Sequence, residues 1–151
     1  MAAPIFKFKN IKVRLSTTNP TFLYGVVPYD PTIGDRTLDP GVLATEVSTV
    51  VLTVQVSNIT GFTGPTVTPP AAQSIFVSAY VQNSAVQPVT FDINNSRLLV
   101  NAYPVIINNA FDPLSGNLVM SANDQLWLKA NIANACDVTV SLLEIANSTA
   151  S

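Results

Sequence analysis

The sequence has no histidine in its 151 residues and a single cysteine, Cys136. Without histidine, neither a Ser-His-Asp nor a Cys-His catalytic site can be built within the chain. The commonest general base and zinc ligand is also missing. One cysteine excludes an intrachain disulfide. With no base to activate it, Cys136 reads as a small buried apolar residue rather than a nucleophile. The lack of disulfides fits assembly in a reducing cytosol. Glycine is sparse and scattered, at Gly25, Gly34, Gly41, Gly61, Gly64 and Gly116, so no phosphate-cradling loop is present. No apolar run approaches the roughly 20 residues of a membrane helix. No charged segment followed by a long apolar run opens the sequence, so a signal peptide is not expected. The glycosylation-like triplets at Asn58, Asn94 and Asn147 are then chance matches.

Charge is the next scarcity. Charged residues make up 11% of the chain, against about a quarter in an ordinary soluble domain. The surface must therefore be covered mainly by Ser, Thr, Asn and Gln. Weak net repulsion favours association between copies. The net charge of −2 conceals a segregation. Four of the seven basic residues are Lys7, Lys9, Lys12 and Arg14, and every acidic residue lies at Asp30 or later. A basic N-terminal arm suits an acidic neighbour, although a solvated strand face has the same composition. Nucleic acid is not the expected partner. Arg36, Arg97 and Lys129 are isolated, and phosphate neutralisation needs a broader patch.

What is present is strand pattern. Hydrophobic residues reach 48%, and they alternate with polar ones at a period of two. Ser48 to Ser57 is the clearest case. Val50, Leu52, Val54 and Val56 would share one face, and Thr49, Val51, Thr53 and Gln55 the other. Ile75, Val77, Ala79 and Val81 also share a parity. Shorter strands are expected at Thr21 to Tyr24, Phe91 to Ile93, Leu98 to Val100 and Val105 to Ile107. The final third reads as strand, tight turn, strand, tight turn, strand, over Leu118 to Met120, Leu126 to Leu128 and Val138 to Leu143. No segment reads as a helix. About eight short strands with turn signals between them predict an all-β fold, a single-domain antiparallel β-sandwich or jelly roll. Residues 1–15 form an N-terminal arm or first strand, and residues 16–151 form the body.

The first strand slips in phase. Phe6 and Phe8 are even, whereas Ile11, Val13 and Leu15 are odd. A β-bulge or sheet crossing at Asn10 would keep the apolar side on one core. Alternatively, residues 1–9 leave the body and pack on a neighbour. Two long punctuated stretches, residues 25–43 and 58–73, are expected to be loops. Asp30, Asp35 and Asp39 in the first lack the spacing of a calcium loop and read as turn formers. Tyr29 and Phe62 are apolar contact candidates in these loops. Trp127 has the opposite parity to Leu126 and Leu128. It should point away from their core, toward an interface or, with Tyr80 and Tyr103, a sugar-binding groove. No carboxylate pair is singled out by its surroundings, so no catalytic residue, metal or cofactor is assigned, and the chain is not expected to be an enzyme.

The run Phe8-Lys9-Asn10-Ile11-Lys12-Val13-Arg14-Leu15-Ser16-Thr17-Thr18 resembles the opening of small structural proteins of tailed bacteriophages. The strand Val50 to Asn58, the segment Pro113 to Met120 and the closing Asp137 to Ile145 are similar to that pattern too. The resemblance implies a β-sandwich virion component, assembled in the bacterial host cytoplasm. With the charge segregation and the apolar loop residues, it points to a capsid decoration (cement) protein, homotrimeric and bound to the major capsid protein. In it, Lys7, Lys9, Lys12 and Arg14 would contact the capsid or the next copy, and Tyr29, Phe62 and Trp127 would be further interface residues. A place at the neck, tail or fibre base is the alternative within the particle. A carbohydrate-binding module is the alternative outside it. The long loops at 25–47 and 57–74 depart from the shorter family pattern.

Overall fold

A computed structural model describes residues 4–26, 42–63, 68–84, 90–114 and 117–148. Nine strands occur among them: β1 (Pro4–Arg14), β2 (Thr21–Gly25), β3 (Val42–Asn58), β4 (Ile75–Asn83), β5 (Ser96–Val105), β6 (Ala110–Phe111), β7 (Leu118–Ser121), β8 (Asp124–Ala130) and β9 (Cys136–Ser148). They form two antiparallel sheets. The first runs β1-β9-β3-β6, with β7 also on β3, and the second runs β2-β8-β4-β5. Both β6 and β7 pair with β3, so they act as one interrupted strand. Counted that way, eight strands are divided between two four-stranded sheets. The chain crosses between sheets at every connection except β4–β5 and the internal β6–β7 link. This is jelly-roll order, and the expected all-β sandwich is the fold observed.

The core lies between the sheets. Val51, Val54, Val56, Val138, Val140 and Leu142 enter it from the first sheet, and Ile75, Val77, Ala79, Leu126 and Leu128 from the second. Cys136 is buried there as well. Burial and the neighbouring Asp137 push its thiol pKa up to about 12, because a thiolate in apolar surroundings loses its hydration. Turns use left-handed asparagines, Asn108, Asn123 and Asn134. Asparagine tolerates that backbone region better than most residues.

One side chain ties the two sheets at one end. Asn58 closes β3, and its Nδ2 donates to the carbonyls of Gln73 (2.8 Å) and Val105 (2.9 Å) beside the second sheet. Its Oδ1 accepts from Thr60 N (3.0 Å) and Thr60 Oγ1 (2.6 Å). All the polar capacity of this buried amide is used on protein groups, as burial requires.

Local expectations change in four places. First, β1 has no bulge at Asn10 and does not leave the body. It pairs with β9 in unbroken register from Pro4↔Asn147 to Arg14↔Asp137. Second, the irregularity lies in β3, between Val51 and Thr53. Thr49 and Val51 therefore face inward with Val54 and Val56, and Val50 does not. Third, Phe91 to Ile93 is not a strand. Asp92 caps a 3₁₀ turn over Ile93–Asn95 by accepting from Asn94 N. Fourth, Leu98 to Val100 and Val105 belong to one strand, β5, with Pro104 inside it. Proline is tolerated there because β5 is an edge.

Candidate docking surface

The two sheets treat their outer faces differently. On the second sheet, the segment leading into β5 folds back over the strands. Phe91 packs on Trp127 (ring centroids 5.3 Å apart) and on Tyr80 (5.2 Å), and Phe22 meets Trp127 edge-on at 5.5 Å. Beside these rings, Gln82 Nε2 donates to Thr90 O (2.8 Å) and Gln125 Oε1 (3.1 Å), and Gln82 Oε1 accepts from Asp92 N (2.6 Å). Trp127 Nε1 donates to the same Gln125 Oε1 at 3.1 Å. The outer side of β4 and β8 is thus a second small core.

That cover corrects the expectation for Trp127. Alternation does place it opposite Leu126 and Leu128, but the indole is only 5% exposed. Its ring faces and its N–H are taken by neighbours in the same chain, so it offers no open platform to a glycan or a subunit. Tyr80 is buried too, and Tyr103 stacks on Phe111 with 4.8 Å between ring centroids.

The outer face of the first sheet is open and divides into two halves. Even residues of β1 point outward, as do the odd residues of β9 that pair with them. In one half the cross-strand rows are polar. Ser141 Oγ donates to Asn10 Oδ1 at 2.8 Å, Lys12 stands opposite Thr139, and Arg14 grips Asp137. The guanidinium donates from Nε to Oδ1 (2.7 Å) and from Nη2 to Oδ2 (3.0 Å). The carboxylate raises the Arg14 pKa from its ordinary value.

In the other half the rows are apolar. Phe8 stands opposite Leu143, Leu143 opposite Val50, and Val50 opposite Val119, one register line across four strands. Phe6 and Ile145 pair in the next outward row. Phe6 is 59% exposed, Phe8 75% and Val119 70%. Directly beneath, the inward side carries polar groups. Lys7 pairs with Glu144, and Glu144 with Thr49. Tyr24 Oη lies 2.8 Å from Thr49 Oγ1, and Lys9 Nζ sits 5.9 Å from the centre of the Tyr24 ring. Burial is the main reason the Tyr24 pKa is raised, and the nearby Glu144 charge adds to it. This end of the sheet is apolar on both faces: Phe8, Leu143, Val50 and Val119 point outward, while Leu142, Val51 and Met120 enter the core beside the polar Lys7, Glu144 and Thr49.

The sequence candidates therefore do not converge. Lys7 and Lys9 lie on the inward side of the apolar half. Lys12 and Arg14 lie in the polar half. Phe62 is 63% exposed, but it follows Asn58 at the end of the sandwich where β1 finishes. Phe6 and Arg14 are eight residues apart in one strand, about 26 Å, so Phe62 and the aromatic pair belong to opposite ends. Tyr29 lies outside the described residues. Sequence reasoning missed the patch of Phe6, Phe8, Val50, Val119, Leu143 and Ile145. Its signal was the phase slip in β1, together with the adjacent apolar pairs Val50-Val51 and Leu142-Leu143, which leave one apolar side chain on each face.

Geometry defines the class as a jelly-roll module with an exposed apolar sheet face. No family model matches the chain, and neither a curated protein nor a solved structure does.

Proposed function

We propose that this chain is a non-catalytic structural component of a tailed-phage virion, a capsid decoration protein that docks on major capsid subunits through the apolar half of its first sheet. The observation that carries the reading is the apolar outward half of the first sheet. Phe6, Phe8 and Val119, bridged across the sheet by the half-buried Leu143 and Val50, leave on the order of 300 Å² of apolar surface to water. Patches of about this size are often functional, and a charge-poor surface around one favours contact with another protein. The strand-pattern resemblance noted above supplies the virion setting, and the basic β1 suits an acidic neighbour. In a homotrimer each copy would bring one such face to the capsid lattice.

The test is to count the copies of this chain in purified particles and compare heads with and without it. Hundreds of copies, with heads less resistant to heating when it is absent, are expected. About a dozen copies or fewer would move the protein to the neck, tail or fibre base. Absence from particles would overturn the virion reading.

A further inference from the structure

We propose that the free edge of β1 accepts an extended strand from a partner protein, one in which acidic residues alternate with apolar or small residues. The proposal rests on the reading of β1 as the docking side, and it names the chemistry of what docks.

The first argument is the shape of the edge. β1 ends the first sheet, and among the described residues its second side pairs with no strand. Its eleven residues run without a register shift. The other edges are blunted. β5 carries two register shifts against β4, a left-handed Ala102 and Pro104. β2 has five residues and a shift, and β6 and β7 have two and four residues. Bulges, prolines and brevity protect sheet edges from unwanted pairing. From Ile5 to Arg14, β1 has neither a bulge nor a proline, and its lysines exclude a strand of like charge, so it is the longest regular edge and is open to an acidic strand.

The second argument is charge, and it selects the occupant. In an antiparallel pair of two β1 strands, opposed residue numbers have a constant sum. A register that sets Phe6 against Phe8 also sets Lys7 against Lys7. A register that sets Phe8 against Phe8 sets Lys7 against Lys9. Like charges directly opposite destabilise a pair, so both of these registers are disfavoured for a second copy. The register that sets Asn10 against Asn10 avoids that clash only by placing Lys12 and Arg14 against Phe8 and Phe6 instead of extending the apolar row. A strand with carboxylates two residues apart places them beside Lys7 and Lys9. Across the sheet, the incoming acid, Lys7 and Glu144 then alternate in sign. On the outward side, the alternate residues of that strand extend the row of Phe8, Leu143 and Val50. Main-chain hydrogen bonds would supply much of the affinity and the alternating side chains the specificity, as in strand addition generally.

The experiment uses the full chain and capped nine-residue peptides that alternate glutamate with valine or threonine, read by fluorescence anisotropy. Binding is expected for the glutamate peptide and not for its lysine counterpart. N-methylation of alternate amides should abolish binding in one phase and spare it in the other, because only one set of amides faces the edge. The Lys7→Glu/Lys9→Glu variant should exchange the preference, about tenfold in each direction. A urea midpoint confirms that this variant is folded, and Lys9→Glu alone serves if it is not. Equal binding by both N-methylated peptides would overturn strand addition. So would equal binding by a peptide of the same composition with its glutamates in one block, or equal competition by a single-stranded oligonucleotide. If peptides fail while particle binding still depends on Phe6 and Phe8, strand addition falls and the docking reading stands. If peptides bind but the chain is absent from particles, the virion setting alone falls.

Discussion

Replacing Phe8 by serine should separate docking from stability. In the isolated chain three quarters of this residue faces solvent. A phenylalanine presents about 200 Å², so the proposed docking would remove about 150 Å² more from water. At about 25 cal/mol per Å² this is worth close to 4 kcal/mol before the costs of association. A centrally placed aromatic commonly retains about 2 kcal/mol of such a gain, which is about a 30-fold change in affinity. The quarter already buried, against Leu143 and its neighbours, contributes only about 1 kcal/mol to folding. Phe8→Ser should therefore weaken binding to particles stripped of this protein by at least about 30-fold, while the urea midpoint moves little. Titration of stripped particles, with urea unfolding of the free variant, measures both. An unchanged binding curve would refute the assignment of this face. A loss of stability as large as the loss of affinity would show that Phe8 belongs to the fold instead.

Other consequences can be checked on the isolated protein. Asn58→Asp should destabilise the fold more than Asn58→Ala, by about 3 kcal/mol or more at neutral pH, because a carboxylate would face the carbonyls of Gln73 and Val105. Urea unfolding at several pH values should show Asn58→Asp recovering as the pH falls and that acid protonates. Trp127 is the only tryptophan, and iodide should barely quench it until the protein is unfolded; strong quenching in the native state would contradict its cover by Phe22 and Phe91. The pKa values of Cys136 and Tyr24 are raised on folding from ordinary values of 9.0 and 10.0. The folded state thus holds these protons more tightly than the unfolded chain. The stability they confer is complete below pH 9 and lost progressively as pH rises toward 12 for Cys136 and beyond 10 for Tyr24. Alkaline unfolding, and alkylation of Cys136 only in denaturant, are the expected results.

Period-two alternation made the sandwich legible. Ile75 to Val81 and Leu126 to Leu128 have one apolar parity, and the core sits where that parity points. It fails where both faces of a strand meet apolar matter. Val50 and Val51 are adjacent and equally apolar, so sequence cannot say which of them faces the core. The bulge between Val51 and Thr53 decides it, and its position depends on pairing with β9, nearly 90 residues away. Trp127 illustrates the same limit. Its parity was readable, but its cover comes from residues remote in sequence: Phe22, opposite it on β2, and Phe91, held over the sheet by the bonds of Gln82 to Thr90 and Asp92. The misreading of β1 had one physical source. A rule that sends apolar residues inward converts Phe6 and Phe8 into evidence for a bulge. The unbroken pairing with β9 shows instead that they point outward.

The most direct test of the account is electron cryo-microscopy of intact particles, at a resolution that traces the chain. It should find the outward face of the first sheet, with Phe6, Phe8 and Val119, covered by a neighbouring subunit, and a strand of that neighbour lying along β1. A particle in which this face looks onto solvent while another surface makes the contacts would contradict it.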